Sequence, residues 1–151
     1  MINECNSDLT HKEIISEVAR YFDKPENTVI TEFRIPERRR ADVLVVSNDG
    51  QITILECKQD YRPRDIQHSV LKYSLWCNKL YLVMNRVNAE LHYEAVKSYW
   101  TPRRNVAYGI YAIDRLEMRL LMPAGSRQIA PEVRSVLDAS IQKRVQRPLV
   151  R

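Results

Sequence analysis

Apolar and polar residues follow two different periods along the chain, and each period predicts a different kind of element. Between residues 9 and 22 the apolar positions recur every three or four residues, which predicts an amphipathic helix. Thr10 and Glu13 stand at the spacing of a capping box, which favours a helix start here. Short apolar or β-branched runs bounded by turn-forming residues predict β-strands at 28–34, 41–46, 51–57 and 79–84.

The rest of the chain continues this alternation of helices and strands. Helical spacing recurs over 65–77, and Asn88 predicts the cap of a helix that runs to about residue 100. Short strands are predicted at 106–112 and 116–122, and a basic last helix from Pro131 to about residue 147. The order α-β-β-β-α-β, followed by further elements, predicts an α/β fold with a mixed central sheet flanked by helices.

The segment 47–50 (Ser-Asn-Asp-Gly) joins two strands and is a strong hairpin signal. If residues 48–50 form a three-residue loop with Gly50 in the left-handed conformation, Asp42 lies directly opposite Glu56. Lys58 then projects from the same face, two residues beyond Glu56. A two-residue loop would shift the register by one residue and separate these side chains across the sheet.

Two carboxylates at this spacing repel each other unless a cation lies between them. Mg²⁺ or Mn²⁺ suits such a site, because hard cations bind carboxylate and backbone-carbonyl oxygens, and the carbonyl of Cys57 is a further candidate ligand. Lys58 can then orient or deprotonate a metal-bound water, or stabilise charge on a phosphate. The alternative is an ordinary exposed Glu-x-Lys ion pair, against which the position of these charges at the ends of apolar strands argues.

Composition excludes several other classes of function. The 151 residues, 44% of them hydrophobic and 28% charged, predict one globular domain over 1–151. The three glycines stand far apart, which excludes glycine-rich phosphate loops and argues against a nucleotide cofactor. Three cysteines without zinc-site spacing are typical of a reducing cytoplasm. No apolar run approaches the ~20 residues that span a membrane, so no membrane association is expected.

The net charge of +5 comes from the last third of the chain. Residues 1–102 carry 14 Lys and Arg against 15 Asp and Glu, whereas residues 103–151 carry 10 against 4. This asymmetry permits an anionic partner such as DNA, and a solvated helix face is the alternative. The basic residues that we expect to contact nucleic-acid phosphates are Arg38, Arg39, Arg40, Arg103, Arg104, Lys143 and Arg144.

The central motif resembles a known family. Asp42-x13-Glu56-x-Lys58 within α-β-β-β-α-β resembles the PD-(D/E)xK nucleases, which have the restriction-endonuclease-like fold. The stretches 39–43 (RRADV), 50–58 (GQITILECK) and 73–81 (YSLWCNKLY) are similar to the core of the MmcB-type DNA-repair endonucleases. This chain departs from the family pattern where Cys57 replaces a valine, where Gln-Asp-Tyr at 59–61 replaces small residues, and where Asn78 replaces an aspartate.

The resemblance implies a Mg²⁺-dependent nuclease with Asp42, Glu56 and Lys58 in the signature positions. It also implies a carboxylate from the first helix, and Glu17 is the preferred candidate because Glu13 suits the capping box.

Further candidate residues surround this set. The resemblance implies auxiliary polar groups on the helix after the lysine, where Gln67 and Lys72 lie as candidate nucleic-acid contacts, although a solvated helix face would explain both. Glu32 is a weaker candidate for the site. His11 falls on the apolar side of the first helix, where a partly buried structural histidine is the simpler interpretation than a general base.

Three functions are compatible with these observations. The favoured one is a Mg²⁺- or Mn²⁺-dependent DNA nuclease of repair or recombination, an endonuclease in preference to an exonuclease, because the Asp-Glu-Lys set is complete. The alternatives are a catalytically inactive nuclease-fold module that binds DNA and acts through a partner protein, and a protein-interaction adaptor. A homodimer would allow two sites to cut two strands, although no interface is evident in the sequence.

Overall fold

The computed structural model describes residues 8–36, 39–99 and 108–146. In chain order its elements are α1 (His11–Phe22), β1 (Asn27–Ile35), β2 (Arg39–Ser47), β3 (Ile52–Lys58), α2 (Pro63–Tyr73), β4 (Lys79–Asn85), α3 (Arg86–Val96), β5 (Gly109–Ile113), β6 (Met118–Met122) and α4 (Pro131–Gln146). Short 3-10 segments, Ser74–Trp76 and Lys97–Tyr99, continue α2 and α3. In these ranges no helix combines the length and apolar character needed to cross a lipid bilayer.

The strands form one six-stranded sheet in the order β1-β2-β3-β4-β5-β6. The first three strands are antiparallel to one another, β3, β4 and β5 are parallel, and β6 returns antiparallel to β5. Parallel neighbours need crossover connections, and the α2 and α3 segments provide them. The predicted mixed α/β architecture, with helices flanking a mixed sheet, is confirmed.

The sheet is covered on both faces, because successive residues of β2 and β3 point to opposite sides. Val43 and Leu55 belong to the core cluster that includes α1, whereas Leu44 and Ile54 belong to the cluster that includes Leu137 of α4. Helices α1 and α4 therefore lie on opposite faces of the sheet. This double coverage explains why β2 and β3 are apolar at nearly every central position.

The hairpin between β2 and β3 has the predicted register. Val43 lies opposite Leu55, and the backbone N–H of Ser47 donates to the carbonyl of Gln51 at 3.0 Å. Gly50 has a φ of +86°, the left-handed conformation that a three-residue loop requires of its last residue. Asp42 and Glu56 therefore occupy the row after Val43 and Leu55, on neighbouring strands.

Helix boundaries agree with the sequence patterns at α1 and differ at α3. Thr10 and Glu13 form the predicted capping box. Helix α3 begins at Arg86, two residues before Asn88, and Asn85 occupies its N-cap position without a side-chain capping hydrogen bond. The side chain of Asn88 donates instead to the carbonyl of Gln59 at 3.2 Å. The predicted helix over 65–77 begins earlier, at Pro63, and ends in a 3-10 segment.

Candidate active site

Two carboxylate side chains continue the hydrogen bonding between β2 and β3 beyond the point where the backbone hydrogen bonds of the ladder end. The ladder ends at Val43 and Leu55. In the next row, Oδ2 of Asp42 accepts from the backbone N–H of Cys57 at 2.9 Å, and Oε1 of Glu56 accepts from the backbone N–H of Asp42 at 3.3 Å. Each carboxylate is thus held by the backbone of the neighbouring strand, which fixes the two side chains close together.

Both carboxylates are removed from solvent. The exposed fraction is 9% for Asp42 and 7% for Glu56. Burial, and after it the charge of Asp42, raises the pKa of Glu56 to about 8. At neutral pH the two groups cannot both ionise without strong repulsion, so the site favours a bound proton or a bound cation.

An ammonium group stands beside this pair. Nζ of Lys58 lies 3.8 Å from Oε2 of Glu56, and 19% of the lysine side chain is exposed. This distance is that of an ion pair without a close hydrogen bond. The charge of Lys58 lowers the pKa of Glu56 by less than burial raises it, so the lysine compensates the carboxylates only in part.

The donor atoms of the site suit a hard divalent cation. Oδ1 of Asp42 and Oε2 of Glu56 are the carboxylate oxygens that the backbone does not use. Across the described part of the chain, no group of three His, Cys, Asp or Glu side chains is arranged as a metal cage. A cation here would therefore rely on two carboxylates, a backbone oxygen such as the carbonyl of Cys57, and water, which is a set typical of Mg²⁺.

The first helix brings His11 to the carboxylates. Nε2 of His11 lies 3.3 Å from Oδ2 of Asp42. Glu17, the residue expected at the site, is paired with Arg20 on the exposed side of α1, and Glu13 is used by the capping box and by Arg115. The available signal for His11 in the sequence is its place on the apolar side of the helix, which a structural histidine would share.

Tyr73 at the end of α2 fixes the strand that carries Asp42. Its hydroxyl donates to the carbonyl of Arg40 at 2.8 Å, two residues before the aspartate. Burial first, and then the charges of Glu56 and Asp42, raise the pKa of Tyr73. The phenol is therefore a neutral hydrogen-bond donor at the edge of the site, a role that the sequence did not suggest.

Strand β1 has a residue of unusual backbone conformation next to the carboxylate row. Glu32 has a φ of +50°, and the pairs Thr31 with Val43 and Phe33 with Ala41 place it opposite Asp42. A non-glycine residue in this region is uncommon and marks a strained position. The side chain of Glu32 points away to an ion pair with Arg40 at 3.5 Å, so the structure does not bring it to the carboxylates.

A basic cleft lies one strand away from the carboxylates, between the edge strand β1 and helix α4. Its volume is about 340 Å³. The basic side chains in it are exposed, and Glu32 is its acidic member. The lining residues are Glu32, Phe33, Arg34, Ser140, Lys143 and Arg144.

The other expected phosphate contacts are divided between the surface and the undescribed segments. Gln67 and Lys72 are exposed on α2, and Nζ of Lys72 lies 5.8 Å from the centre of the Tyr73 ring. Arg40 is exposed and Arg39 is half-buried at the start of β2. Outside the described residues lie Arg38, Arg103 and Arg104.

Comparisons with known proteins agree with this picture of the fold. A family model described as DNA repair protein MmcB-like matches residues 2–140. No curated protein matches the chain. Among solved structures, the SPO1766 protein of unknown function from Silicibacter pomeroyi is similar, with a TM-score of 0.66 at 20% sequence identity over 93% of this chain and 90% of that one. At this identity the likeness shows the fold alone.

Proposed function

Because the chain belongs to the MmcB-like family of DNA repair proteins, we propose that it is a Mg²⁺- or Mn²⁺-dependent DNA endonuclease. The observation that carries this proposal is the pair of buried carboxylates, Asp42 and Glu56, beside the ammonium of Lys58. Two acidic ligands and a lysine meet the needs of phosphodiester hydrolysis, which are a metal site and a group that stabilises phosphate charge. Family membership supports DNA as the substrate.

Asp42, Glu56 and the carbonyl of Cys57 would hold the cation, which supplies Lewis-acid chemistry at a phosphate when bound. The backbone hydrogen bonds to Oδ2 of Asp42 and Oε1 of Glu56 keep both carboxylates oriented before substrate arrives. The ammonium of Lys58, which is partly exposed, can donate to a phosphate oxygen and stabilise the negative charge that develops there. Glu17 is given no role in binding the cation, because its carboxylate is paired with Arg20.

The DNA backbone would run from the carboxylates across β1 into the basic cleft. Arg40 connects these two places, since it precedes Asp42 on β2 and pairs with Glu32 in the cleft. Arg34, Lys143 and Arg144 would contact phosphates along this path. Phosphate contacts position a duplex without reading its bases, so we expect selectivity for DNA structure rather than for sequence.

A cleavage assay with the purified full chain tests the proposal. Labelled single-stranded, duplex, flap and four-way-junction DNA are each incubated with Mg²⁺, Mn²⁺ or EDTA. We expect metal-dependent cleavage of at least one form, a loss of about 100-fold or more in Lys58→Met, and no change in Lys24→Met, an exposed lysine beyond α1. Absence of cleavage with either metal, together with absence of metal binding in calorimetry, would overturn the proposal.

One observation favours a second candidate, a DNA-binding module without catalysis. Among the described residues the site offers two carboxylates and no third acidic, histidine or cysteine ligand for a metal. DNA binding that persists in EDTA, without cleavage of any DNA form, would identify this function in place of the first.

A further inference from the structure

We propose that His11 is a positioning residue of the carboxylate site, whose Nε2–H holds Oδ2 of Asp42 so that Oδ1 remains directed to a bound cation. This inference rests on the proposed function, because it requires a cation at Asp42 and Glu56. It adds a residue of α1 to a site otherwise built from the ends of β2 and β3.

The first support is the set of contacts around the carboxylate. Oδ2 of Asp42 lies 3.3 Å from Nε2 of His11 and 2.9 Å from the backbone nitrogen of Cys57. An ionised carboxylate can only accept hydrogen bonds, so the contact requires the imidazole proton on Nε2. Two donors from different elements then fix one oxygen of Asp42, which sets the direction of the other.

The second support is that the start of α1 is fastened to the strand ends that carry the site. Asn85, at the end of β4 and 2% exposed, accepts from the backbone N–H of Leu9 at 2.8 Å and donates to its carbonyl at 3.0 Å. The side chain of Gln59, the residue after Lys58, accepts from the backbone N–H of His11 at 3.0 Å.

These three hydrogen bonds place the first residue of the helix directly beside Asp42. Both the oxygen and the nitrogen of the buried Asn85 amide bond to Leu9, and Gln59 connects the helix to the loop that follows the lysine. These bonds hold the backbone of His11 beside Asp42, from where the imidazole of this half-exposed side chain reaches the carboxylate. Donors that orient metal-binding groups in this way typically account for about 10- to 100-fold in metal affinity.

Calorimetric titration of Mn²⁺ into the full chain, at one fixed pH, tests this role. His11→Ala should weaken Mn²⁺ binding by about 10-fold or more. His11→Gln should retain most of the affinity, because the glutamine amide N–H can reach the same carboxylate oxygen. His68→Ala is the matched control, since His68 is an exposed histidine of α2, and should bind Mn²⁺ as the wild type does.

The outcomes separate this inference from the proposed function. A wild type that binds no Mn²⁺ overturns the metal site and the role of His11 with it. A wild type that binds Mn²⁺, with equal affinity in His11→Ala or with an equal loss in His11→Gln, overturns the role of His11 alone. Long-range ¹H–¹⁵N spectra of the metal-free protein give an independent readout: an Nε2–H tautomer at His11 that responds to Asp42→Asn supports the contact, and an Nδ1–H tautomer overturns it.

Discussion

The backbone N–H of Asp42 donates to the side chain of Glu56, while the side chain of Asp42 accepts from the N–H of the residue that follows Glu56. The two carboxylates are therefore the last rung of the β2–β3 ladder as well as the candidate cation ligands. A substitution at either position changes the strand ends and the chemistry together. Variants that keep the hydrogen-bond acceptor are needed to separate these effects.

Asp42→Ala is expected to destabilise the metal-free protein relative to Asp42→Asn. Alanine leaves the buried N–H of Cys57 without its acceptor, which costs about 1–3 kcal/mol, whereas the asparagine oxygen can still accept. Both variants remove the charge of Asp42, so the difference between them reports the hydrogen bonds that its side chain accepts, chiefly the one from the buried N–H of Cys57. Urea unfolding in EDTA measures this difference, and equal stability of the two variants would show that the N–H finds another partner.

The pKa of Glu56 predicts how the stability of the metal-free protein depends on pH. The folded-state pKa of about 8 lies above the ordinary value of 4.5, so the folded state binds the proton more tightly than the unfolded chain. The contribution of this group is fully present below pH 4.5 and is lost as the pH rises to about 8. Glu56→Gln should remove this fall in the free energy of unfolding. Denaturant unfolding in EDTA at about pH 5 and about pH 8.5 measures the difference.

A cation at the site should reverse this loss in the wild type. At the alkaline end of this pH range, saturating Mg²⁺ is expected to raise the melting temperature of the wild type, because a ligand that binds only the folded state stabilises it. The same addition should leave Glu56→Gln nearly unchanged. Parallel pH profiles for the wild type and Glu56→Gln would argue against the raised pKa.

The buried side chain of His92 should give the opposite pH dependence, in which the free energy of unfolding falls as the pH is lowered. This histidine is 5% exposed, and its ring nitrogens Nδ1 and Nε2 lie 3.2 Å and 2.9 Å from the hydroxyls of Tyr61 and Tyr108. Burial lowers the pKa of His92 below its ordinary 6.5, so the unfolded chain takes up the proton first as the pH falls. The stability contribution is complete above pH 6.5 and is lost below it.

His92→Phe should flatten the acid limb of the stability profile, because phenylalanine keeps a ring between the two tyrosines and does not titrate. Thermal unfolding between pH 7 and pH 5 measures this slope. The exposed His68 provides the control, since His68→Ala should leave the slope as it is in the wild type. An unchanged slope in His92→Phe would assign the acid sensitivity to other groups.

Local patterns were sufficient to predict the strands and the central register. The loop at 48–50 needs a left-handed residue at its end, and Gly50 supplies it with a φ of +86°. Because pairing in a hairpin follows from the loop length, this one residue places Asp42 beside Glu56. The capping box at Thr10 and Glu13 is another local signal, and the structure confirms it.

Contacts between distant segments could not be predicted in this way. His11 and Asp42 are 31 residues apart in sequence, and Leu9 and Asn85 are 76 apart, so no periodicity relates them. The start of α3 shows the same limit, because Asn85 and Asn88 are both good caps by residue type. In the structure both side chains bond to distant segments, Asn85 to Leu9 and Asn88 to Gln59, and neither residue type alone predicts that α3 begins at Arg86.

The basic cleft predicts how DNA binding responds to salt. Each phosphate contact releases condensed counterions, so the logarithm of the binding constant falls with the logarithm of salt concentration by about 0.9 per contact on duplex DNA. If Lys143 and Arg144 each contact a phosphate, the double variant to alanine should reduce this slope by about 2. Fluorescence anisotropy of a labelled duplex in EDTA, over a range of salt concentrations, measures the slope without cleavage.

Lys24→Ala is the matched control for that experiment. Lys24 is exposed just beyond α1, which packs on the face of the sheet opposite to α4, so a duplex in the basic cleft should not reach it. Its removal lowers the net charge without removing a phosphate contact in the cleft, and the salt slope should stay that of the wild type. If Lys24→Ala and the Lys143–Arg144 double variant change the slope in proportion to the charge removed, binding depends on overall charge and the cleft has no special part in it.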